Sequence, residues 1–197
     1  MQRNPIINRL KLQTPAGVVH LVVFKKGSCH RETIFKILSD LTGRTIGPAN
    51  LVQHQSQDRP SFPNIDFDVN WTHSGDVCVL AYAETSKIRV GVDLEFHKSN
   101  KMDLAERCLD FHEVDYLKKM SKKNEEMATA MFYRLWCKKE ALYKCIGGSF
   151  FEGTLRRNVM EDSLEMEIGK VHFVNLDETS LQSARPASLC VAVKSIT

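Results

Sequence analysis

Two carboxylates lie on one predicted strand near the middle of the chain. The segment KIRVGVDLEF has an apolar residue at every second position, which is the period of a half-buried strand. Asp93 and Glu95 therefore project from the same face, and Gly91 beside them lets another group approach the backbone. Mg²⁺ prefers such oxygen ligands together with water and substrate phosphates. A magnesium site and a solvent-facing acidic pair on an edge strand are both compatible with this pattern.

A second set of polar side chains lies in the segment RLWCKKEALYK, which has the pattern of a helix. Trp136, Glu140 and Lys144 are four residues apart, so they share one helix face. The apolar stripe predicted to face the core lies elsewhere and consists of Met127, Met131, Leu135, Leu142 and Ile146. On an isolated helix, Glu140 and Lys144 would form an exposed ion pair worth about 0.3 kcal/mol. Combined with Asp93 and Glu95, Glu140 would be a third carboxylate for the same metal ion.

Hydroxyls and an imidazole are grouped in the segment NWTHSG. Thr72, His73 and Ser74 precede Gly75, and the amides of such a turn can hold a phosphate. The alternative for His73 is an ordinary solvated histidine.

Two arginines add positive charge elsewhere in the chain. Arg59 precedes Pro60 in the proline-containing segment DRPSFP, and Arg31 lies at the start of the first predicted helix. Either side chain can bind phosphate, although a surface arginine is the alternative. An acidic pair, a distant glutamate and scattered cations together are what a magnesium-dependent diphosphate site requires.

The composition restricts the class of protein. The 197 residues, 43% hydrophobic and 26% charged, suffice for one core or two small packed lobes. A net charge of +3 is too weak to indicate a nucleic-acid partner but suits an acidic protein or a phosphate-rich ligand. The six cysteines form no CxxC pair, which indicates thiols in a reducing cytoplasm. The longest apolar run, VVHLVVF, is too short to span a membrane, and we expect no membrane association or secretion.

The pattern of elements indicates two α/β lobes, residues 1–98 and 99–197, separated near the polar stretch HKSNKMD. Helices are predicted over 31–43, 103–120 and 124–146, and an irregular connection over 47–66. Strands are predicted over 17–24, 67–71, 77–83, 87–95, 170–175 and 188–194.

Five motifs in order along the chain resemble the 4'-phosphopantetheinyl transferases of the surfactin and enterobactin type. They are RP...P, N.THSG, VGVDLE, AERCLDFHEVDYL and FYRLWCKKEALYK, within roughly residues 29 to 150. The pair formed by GVDLE and W.KKEALYK is the most specific part. The resemblance implies an α/β (α+β) fold, a pseudodimer of two similar lobes with the active site between them.

The resemblance also implies an activity, that of a holo-acyl-carrier-protein synthase. Such an enzyme moves the phosphopantetheine arm of coenzyme A onto a serine of an apo acyl or peptidyl carrier protein and releases adenosine 3',5'-bisphosphate. By position, Asp93, Glu95 and Glu140 would hold Mg²⁺, and Lys144 and Lys139 would bind the diphosphate. A carboxylate, most directly Glu140, would act as the general base.

The remaining motif residues would bind the nucleotide of coenzyme A. The resemblance assigns the 3'-phosphate to His73 and Arg31. It assigns the adenine to the loop of Arg59 and Pro60, with Thr72 and Ser74 nearby. The lysines that many relatives place before the Arg31 position have no aligned counterpart, and Lys25 and Lys26 are hypothetical substitutes.

Two other functions use the same residues. One is a protein that binds coenzyme A or a carrier without turnover, and the other is a magnesium-dependent diphosphate hydrolase. The apolar residues from Phe111 to Leu117 either dock the carrier or belong to the core. A chain with two lobes already forms a complete cleft, so a monomer is expected.

Overall fold

The protein folds into two four-stranded antiparallel sheets packed with four α-helices, which confirms the predicted mixed α/β class. The structure is a computed structural model, and it describes residues 5–27, 30–53, 60–62, 65–98, 102–147 and 154–196. Among the helices described, none is both long and apolar enough to cross a membrane. None of the five described cysteines forms a disulfide, and the sixth, Cys29, lies outside the described residues.

The first sheet combines two hairpins, and one helix covers one of its faces. Its strands, in sheet order, are β1 (Ile6–Thr14), β2 (Gly17–Lys25), β6 (Val77–Ala83) and β5 (Asp68–Ser74). The covering helix is α1 (His30–Thr42), whose apolar stripe packs against the outer side of β2 and β6. Between α1 and β5, the short strands β3 (Val52–Gln53) and β4 (Pro60–Ser61) pair with each other.

The second sheet supports the longest helix of the protein. Its strands, in sheet order, are β7 (Ile88–Phe96), β10 (Ala187–Ser195), β9 (Val171–Leu176) and β8 (Ser163–Leu164). Three helices pack on it: α2 (Met102–Cys108), α3 (Phe111–Ser121) and α4 (Glu125–Ile146). Asn124 caps α4 by accepting a hydrogen bond from the Met127 amide, and Gly147 is the C-cap.

The apolar sides of the two sheets share one core. Val90, Val92 and Leu94 of β7 are fully buried in it, against apolar residues of β2, β6 and β10. Asp93 and Glu95 therefore lie on the opposite side of β7, where α4 packs. β7 precedes the predicted boundary at residue 98 but pairs with β10 of the second sheet. The division into lobes of residues 1–98 and 99–197 therefore remains a proposal.

The helix predicted over 103–120 is in fact two helices. The Asp110 side chain accepts a hydrogen bond from the His112 amide, and the Glu113 side chain accepts one from the Asp110 amide. This capping box starts a new helix at Phe111. Leu117 is fully buried, which confirms the core role for that residue, whereas Phe111 is 70% exposed. Docking of the carrier by this segment stays a prediction.

Two further predictions are corrected by the structure. β1 was not predicted, although Leu10 and Leu12 pack against the core and alternate with the exposed Arg9, Lys11 and Gln13. Met127 was predicted to be in the core but is 58% exposed, since it lies in the first turn of α4 beside the exposed Glu125 and Glu126. Ala128 and Phe132 occupy the core instead.

Candidate active site

Asp93 is the centre of a buried polar cluster formed by β5, β7 and α4. It is 4% exposed, and Lys144 Nζ lies 2.6 Å from its Oδ1 atom. The Thr72 hydroxyl donates to the same oxygen at 3.2 Å and accepts from Lys144 Nζ at 3.4 Å. The second carboxylate oxygen, Oδ2, is buried and has no hydrogen-bond partner among the described residues. A buried carboxylate oxygen without a partner is costly, so this atom indicates a ligand-binding role.

Gly91 explains how α4 comes close enough to complete the cluster. A Cβ atom at this position would lie 2.1 Å from the carbonyl oxygen of Ala141 and 2.5 Å from the amide nitrogen of Cys145. The backbone of α4 thus packs directly on the backbone of β7. This contact, expected from the glycine in the sequence, places Glu140 and Lys144 on the same side of β7 as Asp93.

Glu95 extends the cluster toward the end of β7. Its Oε2 atom accepts a hydrogen bond from the Ser74 hydroxyl at 3.0 Å, and Ser74 Oγ accepts one from the Phe96 amide at 3.2 Å. Burial raises the pKa of Glu95, and the negative charge of Asp93 raises it further, against the opposing effects of Ser74 and Lys144.

The pKa of Glu140 is shifted further than that of Glu95. Burial raises its pKa to about 7, with Asp93 and Glu95 adding to the effect and Lys144 opposing it. For Lys144, burial lowers the pKa, but the attraction of Asp93 and Glu140 prevails and the pKa is raised. Asp93, Glu140 and Lys144 therefore act on one another electrostatically, and Glu95 is affected by Asp93, Lys144 and Lys98.

The donor set of this cluster fits a magnesium ion. In the part of the chain that the structure describes, no three His, Cys, Asp or Glu side chains are arranged around one point as metal ligands. The partnerless Oδ2 atom of Asp93 and the raised pKa values of Glu95 and Glu140 nevertheless match what a divalent cation would satisfy. That Asp93, Glu95 and Glu140 together hold such an ion stays a prediction.

The raised pKa of Glu140 predicts a specific dependence of stability on pH. Between its ordinary value of 4.5 and about 7, the folded protein keeps a proton that the unfolded chain has lost. The free energy of unfolding of the wild type should therefore fall with rising pH across this window, relative to Glu140→Gln. Below it the Glu140 contribution is fully present, and above it the difference should reach the order of 3 kcal/mol. Urea unfolding without divalent ions measures this, and a difference independent of pH would contradict the assignment.

Lys139 does not join the cluster, although it precedes Glu140. Its Nζ atom lies 2.8 Å from Glu113 Oε2, and both side chains are fully buried. It also donates to the carbonyl of Arg157, while the other Glu113 oxygen accepts from the Val159 amide at 2.7 Å. Successive residues of a helix are rotated by about 100° around its axis, so Lys139 points to a different side of α4 from Glu140. The predicted phosphate contact of Lys139 is therefore corrected to a structural ion pair.

The predicted turn THSG is also corrected, because Thr72, His73 and Ser74 lie within β5. The hairpin turn to β6 consists of Gly75 and Asp76 alone. Strand alternation turns Thr72 and Ser74 toward Asp93 and Glu95, where we had expected them near adenine, and exposes His73 on the other side.

A cluster of basic residues surrounds His73. Its ring centroid lies 5.4 Å from that of His30, the first residue of α1. Burial lowers the pKa of His30, and the charges of His73, Lys26 and Arg31 lower it further. The structure thus places His73 beside His30 and brings the charges of Lys26 and Arg31 near His30, and a phosphate site shared by His73 and Arg31 stays a prediction. The structure adds His30, which sequence reasoning missed although it adjoins Arg31.

The predicted adenine loop is only partly described. Arg59 lies outside the described residues, and Pro60 begins β4 with its side chain outside them. Lys25 ends β2 with an exposed side chain. The roles of all three remain predictions.

Comparison with known proteins gives a family match over the region that contains the Asp93 cluster. Residues 89–183, just under half of the chain, match the sequence profile of the 4'-phosphopantetheinyl transferase superfamily. Asp93, Glu95, Glu140 and Lys144 all lie within the matched region. The predicted resemblance is thereby supported at the level of this superfamily.

Individual relatives are distant and bear names of the same activity. A Haemophilus influenzae protein provisionally named 4'-phosphopantetheinyl transferase is 29% identical over 131 residues, which cover 64% of this chain and 53% of the relative. The 4'-phosphopantetheinyl transferase AcpT of Salmonella typhimurium is 25% identical over 158 residues, 80% of this chain and 78% of the relative. The L-aminoadipate-semialdehyde dehydrogenase-phosphopantetheinyl transferase of Xenopus laevis is 31% identical over 142 residues, 70% of this chain and 44% of the relative. The chain spans about half the length of the first and third of these.

Proposed function

We propose that this protein is a magnesium-dependent 4'-phosphopantetheinyl transferase of the surfactin and enterobactin type. It would transfer the arm of coenzyme A to a serine of an apo acyl or peptidyl carrier protein, as a holo-acyl-carrier-protein synthase does, and release adenosine 3',5'-bisphosphate. The observation that carries the proposal is the buried Asp93 carboxylate, with one partnerless oxygen, beside Glu95, Glu140 and Lys144. The superfamily match over the same residues supports it.

The charges of the cluster suit a reaction at a diphosphate. Mg²⁺ held by Asp93, Glu95 and Glu140 would offset the negative charge that develops on the leaving bisphosphate. Lys144 is positioned to do the same from the protein side, because its ammonium is already inside the cluster and its raised pKa keeps it charged. Thr72 and Ser74 hold Asp93 and Glu95 in place through hydrogen bonds.

Glu140 is the carboxylate best suited to act as the general base. Its pKa of about 7 applies to the site without a bound cation. As an unprotonated carboxylate, Glu140 would accept the proton of the carrier serine, directly or through a water molecule. The serine oxygen then attacks the phosphorus that bears the pantetheine arm, and the bond to the bisphosphate breaks. The electron pair of that bond leaves with adenosine 3',5'-bisphosphate.

The basic cluster around His73 would bind the other end of coenzyme A. His73, Arg31, His30 and Lys26 place four cationic or titratable nitrogen groups near the positive end of α1, which favours a phosphate dianion. The 3'-phosphate is the group of coenzyme A that requires such a site. The adenine contact with Arg59 and Pro60 is carried over from the resemblance.

The partners follow from the same assignment. Coenzyme A and an apo carrier protein would be the two substrates, with no nucleic acid or membrane involved. One chain supplies every residue of the cluster, which supports a monomer. The thiols of the described cysteines agree with the cytoplasm as its location.

Release of adenosine 3',5'-bisphosphate, measured by chromatography with and without apo carrier, tests the proposal against its two rivals. Transfer predicts release that depends on both the carrier and Mg²⁺. Release without carrier would indicate the diphosphate hydrolase instead. Tight binding of carrier without any release would indicate the non-catalytic binding protein.

A further inference from the structure

The edge strands of the two sheets are joined by a ladder of side chains. β5 and β7 run in the same direction, and side-chain oxygens of β5 accept hydrogen bonds from backbone amides of β7. Asp68 Oδ2 accepts from Val90 at 2.7 Å, Asn70 Oδ1 from Val92 at 3.1 Å, and Ser74 Oγ from Phe96 at 3.2 Å. In each of these three bonds the acceptor is 22 residues before the donor. The ladder therefore defines one register between the two strands.

This register determines which side chains meet in the active site. With Asn70 opposite Val92, the next inward-facing residue of β5, Thr72, lies within reach of the Asp93 carboxylate. Ser74 likewise reaches Glu95. A slip of β7 along β5 would separate both hydroxyls from both carboxylates, because the side chains would then face different partners.

Of the three hydrogen bonds in the ladder, the one to Asn70 involves Val92, the residue directly before Asp93. The Asn70 side chain is itself buried. It is 3% exposed, and its bond to the Val92 amide is buried at both ends. Its oxygen thus accepts the hydrogen bond of the amide directly before the central carboxylate. Among the strands that the structure describes, β7 has no neighbour of its own sheet on that edge.

We infer that Asn70 is a positioning residue for the metal-binding carboxylates. Its hydrogen bond to the Val92 amide fixes the backbone of β7 so that Asp93 and Glu95 present their oxygens to one ion. The inference rests on the proposed function, because it assigns Asn70 a task in that same site. Partners of metal ligands typically contribute about 10- to 100-fold to metal affinity.

The test compares two substitutions of nearly equal size. Asn70→Leu removes the acceptor, whereas Asn70→Asp keeps an acceptor oxygen, as Asp68 does at the preceding bond. In Asn70→Leu we expect the Mg²⁺ concentration for half-maximal transfer to rise about tenfold or more, with the KM for coenzyme A at saturating Mg²⁺ little changed. Asn70→Asp should recover most of the loss. If Asn70→Leu fails to fold, Asn70→Ser, which leaves room for a water molecule, takes its place.

Asn8 provides a matched control. Its Nδ2 atom donates to the carbonyl of Ser180 at 3.0 Å and so also links β1 of the first sheet to the second half of the chain, but through Ser180 rather than through a residue of β7. Asn8→Leu should leave the Mg²⁺ dependence unchanged. A general loss of rigidity would shift the Mg²⁺ dependence of both leucine variants alike and would overturn the inference.

Calorimetric titration of Mg²⁺ into each protein with coenzyme A present gives a readout besides activity. A folded Asn70→Leu or Asn70→Ser protein with wild-type Mg²⁺ affinity would overturn the positioning role, and so would a loss that Asn70→Asp does not recover. Failure of the proposed function is distinguishable, since then the wild type itself would not modify any carrier. The calorimetric comparison would still decide the role of Asn70 in ion binding.

Discussion

Replacing Asp93 with asparagine is expected to lower the kcat of arm transfer by roughly a thousandfold, equivalent to about 4 kcal/mol of transition-state stabilisation. The amide has nearly the same shape as the carboxylate but no charge to hold a divalent cation. It also removes the negative charge nearest to Lys144, whose Nζ atom lies 2.6 Å from Asp93 Oδ1. The loss should appear in kcat, measured by mass spectrometry of the carrier, with the protein still folded by circular dichroism.

Asp115 supplies the control for this substitution. It forms an ion pair of similar length with Lys119, 2.7 Å, but both side chains are largely exposed. Exposed pairs contribute little, so Asp115→Asn should change neither kcat nor stability beyond about 0.5 kcal/mol. A folded Asp93→Asn protein that keeps a tenth or more of the wild-type rate, a loss of only about 1.4 kcal/mol, would refute the role of Asp93.

Replacing Gly91 with alanine is expected to reduce both stability and activity through a single added methyl group. The new Cβ would lie 2.1 Å from the Ala141 carbonyl oxygen, so α4 must move away from β7. Overpacking of this kind costs typically about 1–3 kcal/mol in the free energy of unfolding. The shift would also move Glu140 and Lys144 relative to Asp93. A displacement of about 1 Å costs about 100-fold in rate.

Urea unfolding and kcat measured on the same preparation test both effects. Gly27→Ala is the matched control, because a Cβ at Gly27 would contact nothing within 4 Å and its φ is not in the left-handed region. It should leave both quantities unchanged. If Gly91→Ala retains the stability and kcat of the Gly27→Ala protein, α4 does not pack on β7 as closely as the structure indicates.

Part of the site could be predicted because it depends on local periodicity. Alternation along β7 placed Asp93 and Glu95 on one face, and helical spacing separated Glu140 and Lys144 from the apolar stripe. Gly91 signalled the close approach of a neighbouring element. These features are fixed by the geometry of a single strand or helix, so a sequence pattern suffices to predict them.

The errors concern contacts between elements that are distant in the chain. Helical spacing already separates Lys139 from the face of Glu140 and Lys144. Only the position of Glu113 on α3, however, shows that Lys139 is a buried structural partner. Thr72 and Ser74 were interpreted as part of a turn because the alternation of apolar and polar residues before them is short and the predicted strand ends at residue 71. Their partners on β7 become apparent only when the two sheets are assembled.

The basic cluster illustrates the same limit of local pattern. Lys26 and His30 lie on either side of the connection between β2 and α1, and His73 comes from the far end of β5. Fold topology brings them together, whereas their spacing in the sequence gives no indication of contact. From the residue pattern alone, Arg31 could be predicted only as one cation among many, and its assignment to the 3'-phosphate came from the resemblance.

The most direct test of the account is the mass of a carrier protein after incubation with this protein, coenzyme A and Mg²⁺. Apo carriers of fatty-acid, polyketide and nonribosomal peptide synthesis should be included, because the chain does not reveal its pathway. We predict that at least one gains the mass of a single phosphopantetheine arm on its serine, and that removal of Mg²⁺ abolishes the gain. An unchanged mass for every carrier, with the protein folded and coenzyme A in excess, would contradict the account.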